Sequence, residues 1–132
     1  MMPINLTLYD ETTSGQKQPA LVLDILSEQI TARELIRRRV YQEVKDYNTR
    51  RPEYLRSLVQ PTDAEQTLNG YRLRQPRQID WEQQYEKALE AFERNGFIIL
   101  VDQQQVEDLD TEIRIVPGTT VSFLKLIPLV GG

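Results

Sequence analysis

Apolar and polar residues alternate at the start of the chain and then give way to a nearly continuous apolar run. Ile4, Leu6 and Leu8 are separated by Asn5 and Thr7, and this period of two predicts a strand with one buried face. The segment 12–19, TTSGQKQP, is polar and contains a glycine, so it predicts a hairpin loop. ALVLDIL, residues 20–26, follows and predicts a second strand paired with the first.

The period then changes to that of a helix over residues 30–48. Thr31 stands three residues before Glu34, which is the spacing of a capping box in which each side chain accepts from the other's backbone N–H. Ile30, just before the cap, is placed for a hydrophobic staple. An apolar stripe at helical spacing comprises Ile36, Val40, Val44 and Tyr47. These signals predict the main helix of the protein.

Residues 49–78 carry weaker signals, among them three prolines and the turn pair Asn69-Gly70. They predict an irregular excursion with one or two helical turns, one of them capped by Thr62. A second helix is predicted from Asp80 to Asn95-Gly96, the pair that supplies a left-handed stop. Its apolar and aromatic face, predicted to lie in the core, comprises Trp81, Tyr85, Ala88, Leu89 and Phe92.

The last third of the chain predicts three strands. FIILVD, 97–102, is typical of a buried strand, and 113–116 is a shorter apolar run before the Pro117-Gly118 turn. In VSFLKLIPL, 121–129, both faces are largely apolar, which favours a central position in a sheet. The element order predicts an α+β fold in one domain, residues 1–132, whose closing strand lies beside the first in a mixed sheet.

Composition excludes most catalytic chemistry for this chain. It has no cysteine and no histidine, so it offers no thiol nucleophile, no imidazole base and no sulfur or nitrogen ligands of the kind that zinc prefers. No calcium-type loop of spaced carboxylates is present. We therefore expect no metal site, no cofactor and no enzymatic activity. Because no export signal or apolar span is seen, we expect a cytoplasmic location.

Charge is distributed unevenly along the chain, whose net charge is −4. Residues 33–77 hold ten Arg and Lys45 against six acids, whereas the remainder is strongly acidic. Arg37, Arg38 and Arg39 stand together on the main helix and form a candidate surface for docking an acidic partner, because guanidinium groups pair well with carboxylates. The alternative is an ordinary solvated helix face with local pairs such as Arg39 with Glu43. An overall pI of about 4.9 makes nucleic acid an improbable partner.

The final segment, FIILVDQQQVEDLDTEIRIVPGTTVSFLKLIPLVGG, resembles the corresponding part of ubiquitin and of the bacterial sulfur carriers of the molybdopterin and thiamine pathways. The shared features are a strand, a short turn, an acidic loop, and a final strand with a proline near a terminal diglycine. Val106, Asp110 and the IPLVGG ending occupy those places. The resemblance implies a ubiquitin-like β-grasp mixed sheet, with a long helical insertion, about 49–95, between the main helix and the third strand.

The same resemblance implies that the working end of the molecule is a flexible C-terminal tail, about 128–132. In that family an ATP-dependent adenylating enzyme activates the terminal carboxylate, here that of Gly132. Gly131 and Gly132 suit a narrow channel because they lack a Cβ. Pro128 resists continuing the ladder and would release the tail from the sheet. Leu129 and Val130 would then be apolar residues that a partner could bury.

Two branches of the family stay open, together with a third class of function. We prefer a protein modifier joined to lysine amines, because the large insertion adds recognition surface. A sulfur carrier with a C-terminal thiocarboxylate and a non-covalent adaptor are the alternatives. The modifier is expected to be a monomer whose partners are the activating enzyme, a conjugating enzyme, a deconjugating peptidase and target proteins. No membrane partner is expected.

Overall fold

The computed structural model describes residues 2–126 and has two helices and nine strands in that range. The helices are α1 (Ala32–Arg50) and α2 (Trp81–Glu93). The strands are β1 (Ile4–Thr12), β2 (Lys17–Ile25), β3 (Gln29–Thr31), β4 (Ala64–Thr67), β5 (Gly70–Leu73), β6 (Phe97–Val101), β7 (Gln104–Val106), β8 (Glu112–Arg114) and β9 (Val121–Lys125). The predicted α+β class is confirmed.

The chain divides into two compact units. Within the described residues the sheet unit comprises 2–35 and 92–126, and the insert unit comprises Ile36–Ala91. The insert unit begins inside α1, earlier than the predicted insertion at 49–95. That the whole chain, 1–132, forms one domain stays a prediction.

A five-stranded mixed sheet forms the sheet unit, in the order β2-β1-β9-β6-β7. β1 pairs antiparallel with β2 and parallel with β9, while β9 pairs antiparallel with β6. The prediction that the closing strand lies beside the first, in the middle of the sheet, is therefore confirmed. A small second sheet joins β3 to β8 through the pair Ile30 and Ile113.

Alternation along the strands explains the core of the sheet unit. Leu6 and Leu8 on β1 are buried, as are Val121 and Phe123 on β9, because a period of two places these side chains on the same face. Three phenylalanine rings, those of Phe92, Phe97 and Phe123, follow one another with centroids 5.9 Å apart at each step. These apolar side chains form the core on this face of the sheet.

The predicted cap of α1 is present. The backbone N–H of Glu34 donates to Thr31 Oγ1 over 3.1 Å, which satisfies one of the free N–H groups at a helix start. Two further N–H groups of the first turn, those of Ala32 and Arg33, donate to the carbonyls of Thr111 and Leu109. The predicted stripe, Ile36, Val40, Val44 and Tyr47, is buried.

In the insert unit the predicted irregular excursion is wrong in part. No helix of the described chain lies between α1 and α2, and Thr62 caps none. Instead β4 and β5 form a hairpin whose turn includes the Asn69-Gly70 pair, and Leu55 bridges to Tyr71 on the other side of β5. Beyond the end of α1 the insertion is thus helical only in α2. Strands of four residues hold too few positions for their alternation to be read from the sequence.

The end of α2 is as predicted. Asn95 has a φ of 59°, the left-handed conformation that stops a helix and that asparagine tolerates better than most residues. Its N–H donates to the carbonyl of Phe92. β6 follows directly after Gly96.

Candidate interaction site at the end of the central strand

The central strand β9 leads toward the predicted tail. Its pairing extends one residue beyond the strand, because the N–H of Leu126 donates to the carbonyl of Gly96 over 3.1 Å. One residue earlier, Lys125 Nζ lies 3.9 Å from Oδ2 of Asp10 on β1. The predicted tail residues, Pro128, Leu129, Val130, Gly131 and Gly132, lie outside the described residues. The structure thus follows the last strand to the point at which the predicted tail begins.

The outward face of the sheet carries a strip of half-buried apolar side chains, which we call the sheet strip: Tyr9, Ile98, Leu100 and Leu124. Strand register places them together, because Leu124 pairs with Ile98 while Ser122 pairs with both Tyr9 and Leu100. Paired residues project from the same face of a sheet. A partly apolar strip on the outward face of a sheet is suited to contact another protein.

Charged groups border one end of the sheet strip. Lys17 Nζ lies 4.8 Å from the ring centroid of Tyr9 and 3.7 Å from the carboxylate of Glu11. Both contacts hold the ammonium group over the strip, the first by a cation–π attraction. The sequence had indicated only that β1 alternates. The apolar neighbours of its outward-facing residues depend on the register between strands. The sequence alone did not give that register.

The acidic loop between β7 and β8 is fixed to the start of α1. Val106 is buried, and Asp110 faces Arg33 with an Nε–Oδ1 distance of 3.3 Å. The Asp108 carboxylate accepts from the N–H of Asp110 over 2.9 Å, an Asx turn that shapes the loop. The two residues singled out here by the family resemblance therefore differ in place: Val106 lies in the core and Asp110 lies on the surface.

The predicted docking surface of three arginines is not formed as expected. Arg37 and Arg38 are half-buried, but Arg39 is fully buried. The reason is its position on α1, four residues after Leu35 and three after Ile36, both fully buried, because residues at these spacings share one face of a helix. Arg39 is therefore unavailable to a partner, and only Arg37 and Arg38 stay candidates for docking.

Arg39 instead forms a buried ion pair with Glu43, one turn along α1. Arg39 Nη2 lies 3.6 Å from Glu43 Oε2, and their side chains are 0% and 5% exposed. Glu43 Oε1 also accepts from the backbone N–H of Leu58 over 3.3 Å. The i,i+4 pair was foreseen as a surface contact, and its position in the interior gives it a structural role.

Two further classes of site are not supported within residues 2–126. No group of three or more acidic side chains in this range could hold a metal ion. Neither α1 nor α2 is long and apolar enough to cross a bilayer.

The hairpin of the insert unit is a surface that the sequence pattern did not predict. Leu68 at its tip is fully exposed, and Arg72 on β5 donates to the Glu65 carboxylate on β4. This hydrogen bond is the main reason that the pKa of Arg72 is raised above its usual range, so the guanidinium stays charged. The Asn-Gly pair was the available signal, since it marks tight hairpin turns.

Three comparisons with known proteins found no match. No protein-family model matches the chain, no curated protein matches its sequence, and no solved structure matches its fold.

Proposed function

We propose that the chain is a ubiquitin-like protein modifier with a β-grasp sheet, whose Gly132 carboxylate is activated by an ATP-dependent adenylating enzyme and joined to amines of target proteins. The chain would not itself be an enzyme and would act in the cytoplasm. It would bring to the reaction a folded surface and a tail. The activating and conjugating partners would bring the catalytic groups.

One observation carries this proposal: β9 lies in the middle of the sheet, parallel to β1. A hairpin, then a helix, then a closing strand beside the first is the arrangement that the resemblance implies. In that arrangement the last strand is held by neighbours on both sides as far as Lys125, and by one further hydrogen bond on the β6 side at Leu126. The six residues after Leu126, IPLVGG, would then extend from a rigid base.

The proposed chemistry follows from the poor reactivity of a free carboxylate. An oxygen of the Gly132 carboxylate would attack the α-phosphorus of ATP, releasing pyrophosphate and forming an acyl adenylate. A partner thiolate would displace AMP to give a thioester, and a lysine amine would then displace the thiol and form an isopeptide bond. Glycine at 131 and 132 would let the backbone approach the nucleotide closely.

The sheet strip supplies the recognition surface for the partners in this proposal. Leu124 belongs to β9 itself, two residues before Leu126, so a protein that binds the strip would be held next to the start of the tail. Catalysis of transfer depends on such positioning of the reacting group. Binding energy from the sheet strip would thus contribute to the reaction of a carboxylate several residues away.

A tryptic digest gives a direct test. Trypsin cleaves after Lys125, so a target lysine joined to Gly132 would keep a branch of seven residues, LIPLVGG. We expect mass spectrometry of proteins from the source cells to find this branch on lysine side chains. Intact mass of the unconjugated protein, measured in parallel, shows whether the polypeptide in those cells ends with the carboxylate of Gly132.

Variants of the tail separate the proposal from its alternatives. Gly132→Ala should abolish the branched peptides, whereas Gln75→Ala, at an exposed loop residue, should leave them unchanged. Replacement of one carboxylate oxygen by sulfur in the intact mass, without branched peptides, would instead favour a sulfur carrier. Absence of both products would contradict activation of the carboxylate.

A non-covalent adaptor is the second candidate, and the sheet strip favours it independently of the tail. Its test is deletion of Gly131 and Gly132 together with Leu124→Ser as a separate variant. If partner recovery survives the deletion but is lost in Leu124→Ser, the chain acts through its folded surface alone.

A further inference from the structure

The hairpin of the insert unit presents a fully exposed leucine at a rigid tip. Leu68 has 105% of its reference accessible surface, and turn positions favour polar or glycine residues over leucine. The tip is well ordered by Thr67, whose Oγ1 donates to the carbonyl of Gly70 over 2.7 Å and accepts from the N–H of Asn69 over 3.1 Å. A turn whose backbone is already held by hydrogen bonds loses less entropy on binding than an unrestrained loop.

Arginine side chains occupy one face of the sheet behind that tip. Arg72 on β5 and Arg74, whose N–H donates to the carbonyl of Asp63, are two residues apart and therefore project from the same face. The bridge from Leu55 to Tyr71 places Arg56 beside Gly70, and Arg56 Cγ lies 3.3 Å from the position of a Cβ on Gly70. All three arginines are exposed, and we call them the arginine face.

The sheet unit contains a cleft of opposite charge. It has a volume of about 600 Å³ and lies between the β6–β7 hairpin and β8. Its apolar lining comprises Val101, Val106 and Ile113, and its charged lining comprises Asp102, Glu107, Glu112 and Arg114. Three carboxylates against one guanidinium make the cleft acidic, and apolar side chains lie among them. We call it the acidic cleft.

We propose that the hairpin of one copy of the chain docks into the acidic cleft of another. Leu68 would contact Val101, the half-buried member of the apolar lining, and the arginine face would meet the carboxylates of Glu107 and Glu112. The net charges of the two units also favour this pairing. The sheet unit holds five Lys and Arg against eleven Asp and Glu, a net −6, while the insert unit holds eleven against nine, a net +2.

The geometry of such an association is head-to-tail. The hairpin and the acidic cleft are different surfaces, so a docked pair would keep one free cleft on the first copy and one free hairpin on the second, and the assembly would grow or close into a ring. A single hairpin buries less surface than a standard interface, so a Kd on the order of 0.1 to 1 mM is expected. The association departs from the monomer expected from the sequence, and it is independent of the proposed function.

Sedimentation equilibrium of the full chain, at concentrations up to about 1 mM, tests the proposal. The wild type should associate reversibly, and high salt should weaken the association because exposed charges are screened. A hairpin variant, Leu68→Ser with Arg56→Glu and Arg74→Glu, should weaken it about tenfold or more. A cleft variant, Glu107→Lys with Glu112→Lys, should do the same. Circular dichroism checks that both variants are folded.

A mixture of the two variants distinguishes head-to-tail docking from general stickiness. The hairpin variant keeps a native cleft and the cleft variant keeps a native hairpin, so together they should form one interface and stop at a 1:1 heterodimer. Leu26→Ser is the matched control, because Leu26 is an exposed leucine on the sheet unit, 65% exposed. It should leave the association unchanged, as should deletion of Gly131 and Gly132.

Three results would overturn the proposal. The first is a wild type that stays monomeric up to about 1 mM. The second is an effect of Leu26→Ser as large as that of the hairpin variant. The third is a salt-sensitive complex of the arginine face with a polyuridine oligonucleotide while no self-association is seen, which would assign that face to nucleic acid.

Discussion

The sheet unit and the insert unit are stabilised by different kinds of buried group. In the described sheet unit every buried side chain is apolar except Ser122, whereas the insert unit buries Arg39, Glu43, Ser57 and Gln84. The difference follows from the backbone. Strands satisfy each other's N–H and C=O groups in a ladder, but an irregular segment must find other partners for the groups that it buries.

Side chains of the two helices supply those partners in the insert unit. Glu43 on α1 accepts from the N–H of Leu58, and Gln84 on α2 donates to the carbonyl of Val59. Asn48 binds both backbone groups of Ile79, accepting from its N–H over 2.9 Å and donating to its carbonyl over 3.0 Å. Polar groups inside the insert unit therefore hold the irregular chain in place, as the ladder does in the sheet unit.

The largest effect is expected from an apolar cavity in the sheet unit. Phe123→Ala should lower the free energy of unfolding by about 4 kcal/mol, because it removes a fully buried ring from the central strand. Leu124→Ala is the matched control on the opposite face. Since Leu124 is half-buried, its truncation should cost about 1 kcal/mol. Urea unfolding measures both, and equal losses would contradict the assignment of the two faces of β9.

A slightly smaller loss is expected in the insert unit from breaking the ion pair. Arg39→Ala leaves the buried Glu43 carboxylate without this partner and should cost about 3 kcal/mol. Arg39→Met combined with Glu43→Gln removes both charges but keeps an oxygen to accept from Leu58, so it should cost less than Arg39→Ala alone. Urea unfolding compares the two variants. Hydrogen exchange at the Leu58 amide shows whether the loss is local, and faster exchange there is expected in Arg39→Ala.

The sequence predicted the sheet unit better than the insert unit, because the sheet unit consists of regular elements and the insert unit contains an irregular segment. A capping box at Thr31 and an apolar strand on both faces at β9 are local signals in the sheet unit, and the structure has both. The apolar stripe of α1 is a signal of the same kind, and it is the part of the insert unit that the sequence predicted well. The order of the elements was enough to place β9 beside β1. The tail that carries the candidate reaction lies outside the described residues, so that part of the site stays a prediction.

Signals in the insert unit depended on contacts between residues far apart in sequence. The charge pattern of α1 indicated the Arg39–Glu43 pair but could not show that it is buried, because burial depends on the segment around Leu58. Likewise, β4 and β5 are short, and Thr62 three residues before Glu65 looked like a helix cap. The Asn69-Gly70 turn was the one local feature that favoured a hairpin over a helix.

A smaller loss in the free energy of unfolding is expected from a substitution at Gly70. It tests the insert unit specifically, because at Gly70 this unit depends on close backbone contact. Its φ is +124°, and a Cβ there would lie 2.8 Å from the carbonyl oxygen of Leu55. Gly70→Ala should therefore cost about 2 kcal/mol, from backbone strain and from displacing the bridge between Leu55 and Tyr71.

Gly15, in the β1–β2 turn of the sheet unit, is the matched control, since its φ is +91° but no atom lies within 4 Å of its Cβ position. Gly15→Ala should cost about 1 kcal/mol, from strain alone. Thermal unfolding of both variants measures the difference, and amide exchange at Leu55 and Tyr71 should increase only in Gly70→Ala. Equal costs with protected amides would mean that the close contact at Gly70 contributes nothing to the insert unit, and that its hairpin is held by the β4–β5 ladder alone.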